Sequence, residues 1–363
     1  MGIFLGSNQV GYVNTCSNLL EENLFLNRTI SNYSGDITTI GERAFRNCTS
    51  LTTVSLSQAI TINASAFEYC TSLTTVSLPQ VTTIDSYAFF CCYGLVSIDL
   101  PKVTTINTST FAYCSSLTTV SLPQATIIGS SAFYSCKQLN SIFASVCSII
   151  HTNAFAHCSA LSTVTFNSCQ AINTRAFYGC SSLTTVNFPQ CTSIAGGGTV
   201  KSSATTYNGA FAYCRYLTTI SFPEVTFIGP TAFAYCSRLT QVNFPKATVI
   251  SGSYSVSVYK NTSYYFRGGA FACCYALSVA SFPAAVSISR YAFYQCYNLL
   301  SLYLLGSSVV NLQATTAFTS TPISTYTTST GGVYGSIYVP ASLYNSYITA
   351  TNWSVYSARI VSV

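Results

Sequence analysis

The chain has 363 residues, 49% of them hydrophobic and only 6% charged, with a net charge of +6 at pH 7. No window of about 18 to 20 uninterrupted apolar residues occurs, which excludes a membrane-spanning helix, and the 14 basic residues are scattered, which excludes the basic stripe of a nucleic-acid groove. With a charged fraction far below the roughly 25% of an ordinary soluble domain, polarity falls to Thr, Ser, Asn, Gln and 27 tyrosines, a neutral, hydroxyl-rich and aromatic surface.

The opening Met1-Gly2-Ile3-Phe4-Leu5-Gly6 lacks the basic start and long apolar core of a secretory signal. The expectation is a chain that begins at a mature end or leaves its cell by another route, such as inside a virus particle. Residues 1–36 do not fit the pattern that follows and are expected to form an N-terminal cap. Within them Ile3-Phe4-Leu5 and Val10-Gly11-Tyr12-Val13 read as short strands around a turn at Gly6-Ser7-Asn8-Gln9.

From residue 37 to 305 one unit recurs, A-F-x-x-C-x-x-L-x-x-V-x-L-P-x-x-x-x-I. Its phenylalanine falls at Phe45, Phe67, Phe89, Phe111, Phe133, Phe155 and Phe177, an unbroken step of 22. Steps of 34 to Phe211 and 38 from Phe233 to Phe271 interrupt it, and Phe293 closes eleven units. A period of this size is the mark of a stacked array in which no coil buries its apolar frame alone. In Thr75-Val76-Ser77-Leu78, alternation turns Val76 and Leu78 inward and Thr75 and Ser77 outward. Pro79 and its equivalents end the strand, having no N–H to donate. The chain then crosses to a second anchor such as Ile84, and a helical or 3₁₀ turn is expected to carry Ala-Phe and the Cys inward.

Seventeen cysteines raise the question of a disulfide framework. Eleven occupy one repeat column, from Cys48 to Cys296, and Cys147, Cys169 and Cys191 form a second, 22 residues apart. Like residues in stacked columns suit small buried hydrophobes with free thiols rather than bridges. A metal site is not expected, since no C-x-x-C pair occurs and His151 and His157 fall on surface-type positions.

The segments "IGERAFRNCTSLTTVSL", "IDSYAFFCCYGLVSIDLP" and "INTSTFAYCSSLTTVSLP" resemble the leucine-rich repeat family, within it the BspA-like (treponemal) class. The resemblance covers about residues 37–305, and "GSIYVPASLYNSYITATNWSVYSARI" is similar to the segment that closes such arrays. It implies a β-dominated repeat solenoid with short helical or 3₁₀ turns, curved and right-handed, with a parallel sheet on its concave side. It also implies a surface-exposed, non-catalytic binder of host proteins, matrix or cells. Similar arrays occur in phage and prophage proteins, and "IFLGSNQV" looks like lead-ins of phage tail-associated proteins.

Both interruptions fall after the second anchor and before Ala-Phe. The first spans 195–209 and holds Lys201 and Tyr207. The second spans 251–269, where alternation on both sides of Lys260-Asn261 reads as a β-hairpin carrying Tyr254, Tyr259, Tyr264, Tyr265, Phe266 and Arg267. Two coils apart, the insertions are expected to form one raised binding platform. Residues 306–363 are expected to hold a degenerate repeat around Ala317-Phe318, an irregular Ser/Thr/Gly-rich loop, a strand at Ile337-Tyr338-Val339, a short helix over 341–350, and Trp353 sealing the last coil.

Catalysis finds little footing. Asp85 and Asp99 share a neighbourhood but occupy different sides of a coil, whereas a glycosidase needs two facing carboxylates. His151 and His157 with Cys147 or Cys158 suggest a thiol nucleophile, yet Cys158 belongs to the core column and both histidines fall on coil-surface positions. The expected function is therefore recognition of a protein or glycan on another cell surface, through the solenoid face and the tyrosine hairpins, by an extracellular, cell-surface or virion protein. The alternative is an assembly component whose neutral faces and coil ends pack into a larger particle, through self-association or virion partners. Neither cofactor nor nucleic acid nor membrane insertion enters either reading.

Overall fold

The computed structural model describes residues 2–4, 10–12, 19–20, 31–197, 207–259, 262–324 and 334–363, with 254–267 and the strands before residue 31 described by their backbone. Contacts divide it into two units, Met1–Ser168 and Cys169–Val363.

In the first unit each coil contributes a three-residue and a two-residue strand to two parallel ladders. Asn32–Ser34, Thr53–Ser55 and Thr75–Ser77 pair in register, as do Ser97–Asp99, Thr119–Ser121 and Ser141–Phe143. The second ladder joins Leu19–Leu20, Thr39–Ile40, Thr61–Ile62 and Thr83–Ile84, and then Thr105–Ile106, Ile127–Ile128 and Ile149–Ile150. The stack thus already includes Leu19–Leu20 and Asn32–Ser34, inside the stretch expected as a cap. Gly2–Phe4 and Val10–Tyr12 pair antiparallel, close to the two short strands read there from the sequence.

The second unit repeats the scheme. Thr185–Asn187 pairs with Thr219–Ser221, and Gln241–Asn243, Val279–Ser281, Ser301–Tyr303, Ser336–Val339 and Ile360–Ser362 follow in parallel order. Its two-residue ladder runs from Ala171–Ile172 to Asn311–Leu312. The ladder passes over both interruptions without losing register: Ser193 pairs with Phe227, and Val249 with Ser287. Both units are therefore parallel β-solenoids, as the 22-residue period requires.

Proline has a second role besides ending the strand. The Leu78 carbonyl accepts the Val81 N–H at 3.4 Å, so Pro79 stands second in a β-turn that suits its fixed φ. The A-F-x-x-C block differs from the helical or 3₁₀ turn expected. Its alternate amides donate to the next coil, as in Arg43 N–H to Ala64, Phe45 to Ala66 and Asn47 to Glu68 at 2.7–3.0 Å. The amides between them close local turns, Ala44 N–H to Gly41 and Cys48 N–H to Phe45. Holding both patterns takes residues of the block to positive φ, as at Arg43 and Asn47, Ser65 and Tyr69, or Ser109 and Tyr113. A continuous helix would aim every amide along its own axis and leave nothing for the next coil. Only Thr315–Phe318, in the degenerate repeat, is a 3₁₀ turn at this position among the described residues.

The core is built of columns. Phe45, Phe67, Phe89, Phe111, Phe133 and Phe155 stack with centroids 4.9–5.4 Å apart and planes within 8°. Phe177, Phe211, Phe233, Phe271, Phe293 and Phe318 stack likewise in the second unit, at 5.1–5.6 Å with planes within 11°. The repeat cysteines are free and buried. Nine of the eleven aim the thiol at the Phe carbonyl of the preceding coil, for instance Cys70 to Phe45 at 3.0 Å, Cys136 to Phe111 at 3.1 Å and Cys236 to Phe211 at 3.3 Å. The same carbonyl accepts the Cys N–H of its own coil, so both its lone pairs are used. Small size and a weak donor explain why the column is Cys rather than Ala or Val.

At the end of the second unit, Ala341–Leu343 and Tyr344–Thr349 form the short helical segment, and Trp353 is buried. Its indole N–H donates to the Val310 carbonyl at 2.7 Å, and its ring lies against Tyr347 and Phe318. It closes the apolar end, as expected from its position in the sequence.

Candidate recognition surface

The second interruption is a hairpin of two eight-residue strands, Gly252–Tyr259 and Thr262–Gly269, in unbroken antiparallel register. The register sets Tyr254 opposite Arg267, Val256 opposite Tyr265, Ser255 opposite Phe266, Ser257 opposite Tyr264 and Tyr259 opposite Thr262. Lys260 and Asn261, the predicted turn, lie outside the described residues, as does Lys201 of the first interruption.

Glycines fix the root of the hairpin. A Cβ on Gly252 would sit 1.9 Å from the Arg290 carbonyl oxygen, and one on Gly269 1.7 Å from that of Tyr291. Only residues without a side chain allow the two strands to leave between coils packed this closely. The strand continues into the frame through Ala270 N–H to Ser251 at 2.9 Å, and Thr231 N–H to Gly269 at 3.1 Å ties it to the coil before.

The first interruption re-enters the frame at Tyr207, which is 4% exposed. Tyr207, expected as a binding residue of the platform, instead packs with Ala212, Ala234, Ala272 and Cys273 beneath a cluster of partly buried tyrosines. Its hydroxyl is raised well above the usual phenol range by burial, with Cys273 adding. Tyr207 therefore joins the end of one interruption to the end of the other from below, because the Ala at these frame positions leaves room for one ring.

Above it runs a feature that the repeat alone conceals. Tyr178, Tyr213, Tyr235, Tyr275 and Tyr297 come from five successive turn blocks and touch in sequence, with centroids 4.9–6.0 Å apart. Burial, with Tyr178 and Tyr235 adding, pushes the Tyr213 hydroxyl up to about 12, so it stays a neutral phenol able to donate. Arg175 lies over Tyr178 of this strip at 4.3 Å, and Arg238 lies over Tyr216, a further tyrosine of the Phe211 coil, at 4.1 Å. The first unit has a comparable zigzag of Tyr69, Phe90, Tyr113, Tyr134 and His157, edge to face at 5.4–5.7 Å. There, however, the arginines are answered by carboxylates, Arg46 by Glu68 at 2.9 Å and Arg43 by Glu42 at 3.5 Å.

A count by unit could have shown this difference from the sequence. Residues 1–168 hold five Lys/Arg and seven Asp/Glu, a net −2, while residues 169–363 hold nine and one, a net +8. The overall +6 hides the split.

The outward strand columns are plainer. Thr219, Ser221, Gln241 and Asn243 line a shallow groove of about 430 Å³, and Ser141, Phe143, Thr163 and Thr165 one of about 330 Å³. Phe143, 56% exposed, breaks the hydroxyl pattern. His157 and Cys158 form no catalytic pair, since His157 lies against the Tyr134 ring and the Cys158 thiol donates to the Phe133 carbonyl at 3.1 Å. No group of three His, Cys, Asp or Glu among the described residues is placed to hold a metal, and no described helix is long and apolar enough to cross a membrane.

Comparison with known proteins agrees with this architecture. The BspA type Leucine rich repeat region (6 copies) matches residues 15–95, 38–147, 82–205 and 204–324. The chain belongs to the BspA-type leucine-rich repeat family. Its fold is similar to a leucine rich cell surface protein of Faecalibacterium prausnitzii, at 23% identity and TM-score 0.40 over 85% of this chain and 86% of that one. It is similar to leucine-rich repeat proteins of Bacteroides ovatus (22%, 0.35, 84% and 92%) and Eubacterium ventriosum (20%, 0.44, 85% and 88%). No curated protein matches the sequence.

Proposed function

We propose that this chain is a non-catalytic recognition protein, acting at a cell surface or from a virion, that binds a protein or glycan on another surface through its second unit. The observation that carries the reading is the hairpin Gly252–Tyr259/Thr262–Gly269, anchored by glycines and set beside a strip of tyrosines from five coils. Tyrosine offers flat apolar area and a hydroxyl at small entropic cost, which suits recognition. Tyr254, Tyr259, Tyr264, Tyr265, Phe266 and Arg267, with Lys260 and Lys201, are the proposed contact residues. The membership of the BspA-type family supports this, because relatives such as the F. prausnitzii protein are cell surface proteins.

The test is a screen of the purified chain against a glycan array and a panel of matrix proteins. Replacing Tyr259, Tyr264 and Tyr265 by Ser is expected to abolish binding to whichever probe the parent selects, with the thermal unfolding midpoint unchanged. Unimpaired binding by the triple variant rejects the hairpin as the contact. The assembly reading is favoured by one observation, the exposed Phe143 in an otherwise hydroxyl-lined groove of the first unit.

A further inference from the structure

The charge split and the tyrosine strip meet on one face, the turn blocks of the second unit. Arg215, Arg238 and Arg290 are exposed there, and Arg175 lies over Tyr178 with its Nε buried and without an acceptor. Among the described residues, no carboxylate reaches ion-pair distance of any of the four. The one acidic side chain after residue 168, Glu224, is already held by Lys246 on the far side of the coil's proline turn. Cation–π contact aims Arg238 without neutralising it. The phenol hydroxyls between them can donate: Tyr216 and Tyr297 are 46% and 45% exposed. The face thus carries four guanidinium groups, from the coils of Phe177, Phe211, Phe233 and Phe293, among phenol hydroxyls and with no carboxylate beside them among the described residues, on coils stacked about 4.8 Å apart.

From this we infer that the turn face of the second unit binds an anionic polysaccharide, a linear chain of sugars bearing carboxylate or sulfate groups. The inference rests on the recognition reading above and names its ligand class. Guanidinium groups pair bidentately with such anions, and phenol hydroxyls and ring edges suit the sugar hydroxyls and C–H surfaces between them. A protein partner fits less well. Peptide segments dock by adding to a free strand edge or by filling a deep apolar pocket. Here the turn-block amides are used between coils, as in Phe211 N–H to Ala232, Tyr213 to Ala234 and Tyr235 to Ala272. The two grooves described above lie on the strand face instead.

The probe is a heparin oligosaccharide, with a desulfated oligosaccharide and polyglutamate as the other arms, titrated against the full chain by calorimetry. The parent is expected to bind heparin in a salt-dependent manner and the other two at least tenfold more weakly. Arg215→Ala with Arg238→Ala is expected to cost about a hundredfold, roughly tenfold per charged hydrogen-bonding partner. Lys102→Ala, on the first unit, is expected to change nothing. Heparin binding unchanged in the double variant overturns the inference. Polyglutamate binding as tight as heparin assigns the face to an acidic protein and also overturns it. If the parent binds no heparin, the inference fails; should a hairpin-dependent ligand emerge from the array, the recognition reading stands without it.

Discussion

Raising the pH tests whether the cysteine columns are the buried, protonated thiols that the packing requires. Cys70, Cys92, Cys114, Cys136 and Cys147 of the first unit are 0% exposed. Burial raises each thiol above its ordinary value, Cys147 to about 12. The unfolded chain ionises these thiols near pH 8.5–9 while the folded one does not. Their contribution is therefore complete below about pH 8.5 and is lost as the pH climbs from there towards the folded values. Each thiol removes about 1.4 kcal/mol of stability per pH unit in that window, so the five together remove about 7 kcal/mol per unit. That is comparable to the 5–15 kcal/mol of a whole domain. The urea midpoint, followed by circular dichroism with reductant present, is expected to be flat from pH 6 to 8 and to fall steeply above 9. A Cys92→Ala/Cys114→Ala variant leaves three of these five, and their share of the slope falls to about 4 kcal/mol per unit. A midpoint at pH 10.5 equal to that at pH 8 would refute the reasoning, because it requires thiols that ionise alike in both states.

Other outcomes follow from the same packing. Phe111→Ala, which removes a ring stacked between Phe89 and Phe133 at 5.3 and 5.4 Å, is expected to cost about 3–5 kcal/mol in urea unfolding. Thr118→Ala, which removes one exposed side-chain bond to the Val96 carbonyl at 3.0 Å, is expected to cost about 1 kcal/mol. Gly269→Ala places a Cβ 1.7 Å from the Tyr291 carbonyl oxygen and is expected to cost more than Gly94→Ala, whose nearest atom is 3.1 Å away. Overpacking puts the larger effect at about 1–3 kcal/mol, and the unfolding midpoints of the two variants decide the order.

The frame was legible because it is periodic. A fixed step of 22 placed Phe45, Cys70 and Val54 in columns without any knowledge of backbone geometry, and the hairpin showed as a break in that step. The conformation of the turn block was less legible. Nothing in Ala-Phe-x-x-Cys says that alternate amides reach for the next coil, so a helical turn was the natural expectation. Positive φ at Ser65, Tyr69 or Tyr113 carries no glycine or asparagine signal, because inter-coil hydrogen bonds override local preference there. Tyr207 misled for a different reason. It stands in an interruption, expected to form part of a raised platform, but Ala212, Ala234 and Ala272 of stacked coils leave a hollow for its ring that only the three-dimensional stacking reveals. The arginine row was in plain sight and hidden by averaging over the chain.

The central claim is that the second unit's hairpin and turn face are where this protein meets its ligand. Hydrogen exchange of the full chain, with and without the probe selected by the array, measures that directly. Protection concentrated in residues 252–269 and in the turn blocks around Tyr213, Tyr235, Tyr275 and Tyr297 is the predicted result. Protection confined to the outward strand columns, such as Thr219–Ser221 and Gln241–Asn243, or to the first unit, would contradict it.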